Sequence, residues 1–179
     1  MFPRQAISYH QLLKEGFSDK EIFNLSASLK LFPTPFKGIY YVPANEEKRG
    51  SFIDKPLSVI TKATELFLGT NKFYFSCSTA EEFLGINWRP KEEIHIVNET
   101  RSGRINLSER IERNKKKNNY RSKKIALLLS FYGHEIIFHR GSVDGAKFKE
   151  TPYGRFALKS QIKKDKKRFR EKNRRNKNR

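Results

Sequence analysis

Four histidines and one cysteine are the side chains in this chain best suited to bond-making or metal chemistry, and their spacing decides what they can do together. The richest run is His134-Glu135-Ile136-Ile137-Phe138-His139-Arg140, followed by Asp144. It mixes imidazole, carboxylate and guanidinium groups as a metal-dependent nuclease does. The apolar centre of the run predicts a strand over 135–138. Side chains alternate on a strand, so histidines five positions apart face opposite ways and cannot hold one ion. His95 alternates with Ile94 and Ile96 in a second expected strand, which turns it away from those two and toward solvent. His10 has no partner in sequence. Cys77 is followed by no second cysteine and by no histidine at a spacing that defines a nucleophile pair, so it reads as a small buried thiol. Glu81-Glu82 and Glu92-Glu93 are adjacent pairs that diverge to different faces, and the ten glycines form neither a phosphate loop nor a dinucleotide fingerprint. The expectation is therefore a protein that is not an enzyme, with no catalytic residues, no metal and no cofactor.

What the chain has in quantity is positive charge. Against 19 Asp and Glu stand 38 Lys and Arg, for a net +19. Residues 1–100 are balanced, with 12 basic and 12 acidic side chains. Two short blocks supply almost all of the surplus. Residues 101–124 carry ten basic groups against Glu109 and Glu112, and residues 159–179 carry twelve against Asp165 and Glu171. Concentrated cations point to a polyanion partner, because each Lys or Arg set on a phosphate releases condensed counterions. Nucleic acid, above all double-stranded DNA, is the expected partner. Arg101, Arg104, Arg113, Lys115, Lys116, Lys117, Arg121, Lys123 and Lys124 in the first block are expected to touch the phosphate backbone, as are Lys163, Lys164, Lys166, Lys167 and Arg168 in the second. Such contacts position a protein without reading sequence. With little besides Leu158, Ile162 and Phe169 to bury, the second block reads as a flexible arm.

Other classes are excluded or disfavoured. The longest apolar run, Ile125-Ala126-Leu127-Leu128-Leu129, falls far short of the roughly 20 residues of a membrane helix. The start, Met1-Phe2-Pro3-Arg4-Gln5, lacks the apolar stretch of a signal peptide, which makes the cytoplasm the expected location and a membrane partner unexpected. One cysteine permits no internal disulfide and no cysteine zinc cluster.

The elements that must position these groups are legible from local signals. Tyr9, Leu12 and Leu13 lie at helical spacing over 8–14, and Gly16 stops that helix. Ser18-Asp19-Lys20-Glu21 fits a capping box, and Ile22, Leu25 and Leu29 continue a 3.6-residue stripe that must end before Pro33. The aromatic and β-branched run 36–42 reads as a strand. Helix, helix and β wing within about 45 residues form the pattern of a winged helix-turn-helix, whose second helix enters the major groove. Its exposed face would carry Lys20, Asn24, Ser26, Ser28 and Lys30, with Lys37 on the wing. The polar stretch 43–55 reads as a linker. A helix follows, with Asp54 as N-cap, Pro56 at its first position and Gly69 at its end. Residues 72–76 read as a strand, Ser78-Thr79-Ala80-Glu81 as a second capping box, 93–97 as a strand and 105–107 as its hairpin partner. The run 114–119 reads as an exposed loop or frayed helix, and 125–132 as a helix capped by Ser122. The fold class expected is α+β: a winged helix over 1–45, a small mixed α/β regulatory domain over 54–158 that includes the basic segment 101–124, and a basic, flexible tail over 159–179.

Several phrases and their order carry a family likeness. Gly16-Phe17-Ser18 stands between the first two helices, Lys37-Gly38-Ile39-Tyr40-Tyr41-Val42-Pro43 forms the wing strand, and Phe73-Tyr74-Phe75-Ser76-Cys77-Ser78-Thr79-Ala80-Glu81-Glu82-Phe83-Leu84-Gly85-Ile86 gives strand, helix and turn. Over residues 6–107 the chain resembles the AbiEi family, transcriptional regulators and antitoxins of type IV toxin–antitoxin systems. The resemblance implies a DNA-binding winged helix, an α/β regulatory domain behind it, and repression of its own operon. It also implies a nucleotidyltransferase toxin encoded nearby, countered without a stable complex. The expected function is thus a DNA-binding transcriptional regulator, with an autoregulating, antitoxin-like repressor as its narrower form. The alternative is an RNA- or ribosome-associated basic binding protein without catalysis.

Overall fold

The structure is a computed structural model that describes residues 2–87 and 93–177, with side chains to Arg170. Glu92, one of the acidic pairs weighed above, lies outside the described residues. In chain order the elements are β1 (Gln5–Ser8), α1 (Tyr9–Lys14), α2 (Asp19–Ala27), β2 (Phe32–Pro33), β3 (Ile39–Val42), α3 (Asn45–Gly50), α4 (Pro56–Leu68), β4 (Phe73–Phe75) and α5 (Cys77–Phe83). They continue with β5 (Glu93–Asn98), β6 (Gly103–Asn106), α6 (Leu107–Lys115), α7 (Tyr120–Ser130), β7 (Glu135–Arg140), β8 (Phe148–Thr151), β9 (Gly154–Ala157) and α8 (Lys159–Lys177). This is a mixture of helices and mostly antiparallel strand pairs, as the α+β class requires. Among the described residues no helix is long and apolar enough to cross a membrane.

Two compact units divide the chain, one made of Met1–Asn71 with Asn106–His134, the other of Lys72–Ile105 with Glu135–Arg179. In the first, β1 and β2 both pair antiparallel with β3, giving the order β1-β3-β2, with Gln5 opposite Val42 and Phe32 opposite Tyr41. The two helices between β1 and β2 start at reciprocal caps. The Ser8 hydroxyl accepts from the Gln11 amide while the Gln11 side chain accepts from the Ser8 amide, and Ser18 and Glu21 repeat the arrangement. Between them Gly16 turns the chain at φ +91°, a region open to glycine at little cost. Ile7, Leu12, Ile22, Leu31 and Val42 meet in a buried cluster that seats both helices on the sheet. Burial of each such side chain contributes about 1.5–3 kcal/mol. Beneath lie α4, whose Val59, Ile60 and Ala63 are buried and whose Phe67 stacks on Phe36 at 4.6 Å, and the α6–α7 pair.

In the second unit a six-stranded mixed sheet has the order β6-β7-β5-β4-β9-β8. The β5 and β7 strands are parallel, β4 is antiparallel to β5 and parallel to β9, and β8 returns on β9 as a hairpin. Phe73, Tyr74, Phe75, Ile94, Ile96, Ile136 and Phe156 form its interior. Phe83 of α5 stacks on Phe156 at 3.8 Å. The α8 helix buries Ile162, Asp165 and Phe169. Its Asp165 carboxylate accepts from Ser76 Oγ (2.7 Å), Tyr74 Oη (3.1 Å) and Gln161 Nε2 (2.9 Å).

These findings correct several expectations. Residues 159–177 are a helix fixed by a buried carboxylate, not a flexible arm, because Asp165 and Gln161 occupy the stripe where apolar residues were sought. The stretch 43–55 is not a linker. It holds α3, whose Glu47 is fully buried and accepts from Tyr41 Oη (2.8 Å), the Ala44 amide (2.7 Å) and the Asp54 amide (3.0 Å). A boundary near residue 45 or 54 therefore falls inside the first unit, which also claims 106–134. Lys55, not Asp54, precedes α4 at its N-cap position. The second capping box does not form, since α5 begins two residues earlier, with Ser76 in place of Ser78 as its N-cap. β6 lies beside β7 rather than β5, so 105–107 is not a hairpin partner of 93–97, and Leu107 already opens α6. The loop expected at 114–119 is short, being bounded by α6 and α7, and Asn119 caps α7 in place of Ser122.

Candidate functional site

Two surfaces gather the chemistry, one in each unit. In the first unit α2 stands on the β1-β3-β2 sheet with Ile22 inward. Lys20, Asn24 and Lys30 are exposed, as is Lys37 in the turn before β3. Ser26 is half-buried. Ser28 is exposed but serves as the C-cap of α2, its hydroxyl donating to the Asn24 carbonyl (2.7 Å). Phe23, 68% exposed, stands on the same helix beside Asn24 and was not singled out as a contact residue from sequence. The capping hydrogen bonds from Ser18 hold the Glu21 carboxyl below the usual glutamate range.

The first basic block is divided between the units. Arg110, Arg113, Lys115, Lys116, Lys117, Arg121, Lys123 and Lys124 belong to α6, α7 and their connection, in the same unit as α2. Arg110 ties this segment to the turn between β2 and β3, its guanidinium donating to the Pro35 carbonyl (2.6 Å). Arg113 pairs with Glu109 and Lys115 with Glu112, both at 2.7 Å on the surface, where such pairs contribute little. Lys116, Lys117, Arg121 and Lys123 are exposed, and Lys124 lies over the Tyr120 ring. The unit that carries α2 thus holds 17 basic and 9 acidic residues, so the helix does not sit in a neutral body as the count over 1–100 suggested.

Arg101, Arg104, Lys163, Lys164, Lys166, Lys167 and Arg168 lie in the second unit. Lys163, Lys164 and Lys167 are exposed on α8. Lys166 pairs with Glu81 (2.5 Å), Arg104 with Glu135 (3.5 Å), and Arg168 donates to the Arg140 carbonyl (3.3 Å). Arg104 and Lys166, with Arg140 and Arg170, also line a cavity of about 580 Å³.

At the base of that cavity lie Cys77, His95 and His139, brought together by the sheet. Parallel pairing sets His95 opposite Ile137 and Val97 opposite His139, which puts the two histidines on one face, one step apart. The Ser76 amide donates to the His95 carbonyl (3.1 Å), and this carries Cys77 alongside. His95 Nδ1 lies 2.9 Å from His139 Nε2, with the rings parallel within 6°. His95 Nε2 lies 3.1 Å from Glu93 Oε2, and Phe169 stacks on His139 at 3.7 Å. The Cys77 sulfur and one nitrogen from each histidine lie within 4.8 Å of one another. Burial pushes the Cys77 thiol up to about 12, helped by the charge of Asp165. Burial also lowers the His95 pKa, outweighing the nearby Glu93, so its ring is kept neutral. Cys77 opens α5 at φ +51°, a conformation that costs a side-chain-bearing residue on the order of 1 kcal/mol or more.

This cluster corrects one reading and extends another. His95 is not solvent-facing, its side chain being 14% exposed. His139, although on the face opposite that of its neighbours Phe138 and Arg140, finds its partner across the sheet and not along its own strand. His134 is exposed just before β7 and takes no part. Sequence carried no signal for the grouping, because it depends on β5 and β7 being parallel neighbours. No family model matches the chain, and neither a curated protein nor a solved structure matches it.

Proposed function

We propose that the protein is a DNA-binding transcriptional regulator whose first unit reads duplex DNA through a winged helix. The observation that carries this reading is the β1–α1–α2–β2–β3 succession on a sheet of order β1-β3-β2. In such an arrangement the second helix of the pair offers its outer face to the major groove and the hairpin flanks it. Here that face presents Lys20 and Asn24, side chains suited to guanine and adenine edges respectively. Exposed cations of α6 and α7 in the same unit supply phosphate contacts that hold the protein on any duplex. The AbiEi likeness adds autoregulation to the proposal, together with a nucleotidyltransferase toxin as the product countered.

The test is selection of bound sequences from a random duplex library, followed by anisotropy titration of the selected site, the duplex upstream of the protein's own reading frame and a structured RNA. Enrichment of a defined duplex motif, relaxed at one base pair by Asn24→Ala, is the expected result. Structured RNA held at equal or greater affinity, with no duplex motif, overturns it in favour of an RNA-associated protein. A neighbouring frame that encodes no nucleotidyltransferase removes the antitoxin part and leaves the regulator.

A further inference from the structure

We propose that Cys77, His95 and His139 form a three-ligand zinc site in the second unit, with a fourth coordination position open to the cationic cavity. One thiolate and two imidazoles are a borderline-soft donor set, which selects zinc and its spectroscopic substitute cobalt over magnesium or calcium. Bond lengths of about 2.3 Å to sulfur and about 2.0–2.1 Å to nitrogen place tetrahedral donors roughly 3.3–3.6 Å apart. The donor atoms here, with the nitrogens 2.9 Å apart and all three within 4.8 Å, reach that spacing by small side-chain movements without any change in the sheet.

The surroundings fit a ligating histidine. A carboxylate on the far ring nitrogen orients a zinc-bound imidazole and fixes its tautomer. Glu93 is placed to do so, accepting the Nε2 proton of His95 and leaving the Nδ1 lone pair turned toward His139 and Cys77. In the metal-free protein His139 Nε2–H then donates to His95 Nδ1. Zinc entry displaces that hydrogen, which His139 carries instead on Nδ1, and releases the Cys77 thiol proton to solvent as the Zn–S bond forms. A Cys–His nucleophile pair is the competing use of these groups. In the metal-free protein, however, the His95 Nδ1 lone pair is engaged by His139 and not by the Cys77 thiol. Phe169 covers the face of His139, and the open side of the site is the cavity containing Arg104, Arg140, Lys166 and Arg170. Those cations oppose a divalent ion, but Glu135 and Glu81 pair with Arg104 and Lys166, and the Cys77 thiolate adds a further negative charge at the site. The cations also favour an oxygen anion in the fourth position, with inorganic phosphate as its probe.

The experiment titrates the full-length protein, stripped with a chelator, with zinc and then with cobalt. Expected are one equivalent bound, a thiolate-to-cobalt charge-transfer band, and the intense visible bands of four-coordinate cobalt, altered on addition of inorganic phosphate. Cys77→Ser removes the charge-transfer band, and Glu93→Gln weakens zinc binding about 10- to 100-fold while leaving the band in place. A cobalt-loaded wild-type protein without the sulfur band overturns the proposal with no variant needed. So does a band that persists in a folded Cys77→Ser protein. No nucleic acid enters the measurement, so its outcome is independent of the regulator reading.

Discussion

Neutralising Lys20, Lys30 and Lys37 is the sharpest test of the proposed DNA face. All three side chains are exposed, and none is in an ion pair among the described residues. Their charge is therefore available to phosphate, and none is needed to hold the fold. Each lysine seated on a phosphate contributes about 0.9 to the slope of log affinity against log salt. At about 0.1 M salt, loss of one such contact lowers affinity roughly eightfold, or about 1.2 kcal/mol, and loss of three lowers it roughly 500-fold. The triple Lys→Gln protein is expected to show a slope shallower by about 2.7 in anisotropy titrations spanning about 50–200 mM salt. Its circular dichroism and melting should match the parent protein. Neutralising Lys116, Lys117 and Lys123 should flatten the slope similarly, but equally on selected and scrambled duplexes. A slope change below about one for the Lys20, Lys30 and Lys37 variant, in a folded protein, refutes the placement of this face against DNA.

Other outcomes follow from the buried polar groups. Glu47→Ala leaves the Tyr41 hydroxyl and the Ala44 and Asp54 amides without their acceptor, and should cost about 3–5 kcal/mol, read as a thermal midpoint lower by roughly 6–20 °C. Tyr132→Phe should be neutral or stabilising by up to about 1 kcal/mol, since the Tyr132 hydroxyl is buried with no partner among the described residues. Burial raises the pKa of Tyr41 and of Tyr132 above the ordinary tyrosine value of 10.0, so their folded forms keep protons that the unfolded chain gives up. The stability of the first unit is then fully present below that value and is lost above it, by up to about 1.4 kcal/mol per pH unit for each tyrosine. Urea midpoints between about pH 9 and about pH 11 should fall accordingly, and Tyr132→Phe should make that fall shallower.

Short-range signals in the sequence were faithful where they involved a few neighbouring residues. The Ser18–Glu21 box, the Gly16 stop and Pro56 at the head of α4 are set by local hydrogen bonding and backbone geometry, and they stand as expected. Signals that rely on partners distant in sequence were not legible. β1 has only four residues and shows no alternation strong enough to reveal a strand; it exists because β3 pairs with it. The run Asn45-Glu46-Glu47-Lys48-Arg49-Gly50 is composed like a linker, and nothing in it distinguishes Glu47, which is buried, from the exposed Glu46. The Cys77–His95–His139 cluster is the extreme case. Its members are 18 and 44 residues apart, and only the parallel register of β5 with β7, together with the Ser76–His95 hydrogen bond, assembles them.

The basic block at 159–179 shows why charge alone is a poor guide to what a segment does. Deleting it would strip twelve cations, but it would also remove the Asp165 carboxylate on which Tyr74, Ser76 and Gln161 converge. Buried donors left without an acceptor cost about 1–3 kcal/mol each, so the truncated second unit would be destabilised whatever its affinity for phosphate. Lost binding after such a deletion cannot distinguish an electrostatic arm from a damaged fold. The helix itself separates the two roles. Ile162, Asp165 and Phe169 recur at intervals of three and four and face the sheet, while Lys163, Lys164 and Lys167 are exposed. Replacing those three lysines with glutamine leaves every Asp165 hydrogen bond in place and removes only charge. A flattened salt dependence in that variant assigns α8 to the nucleic-acid face, and an unchanged one confines its role to holding the second unit together.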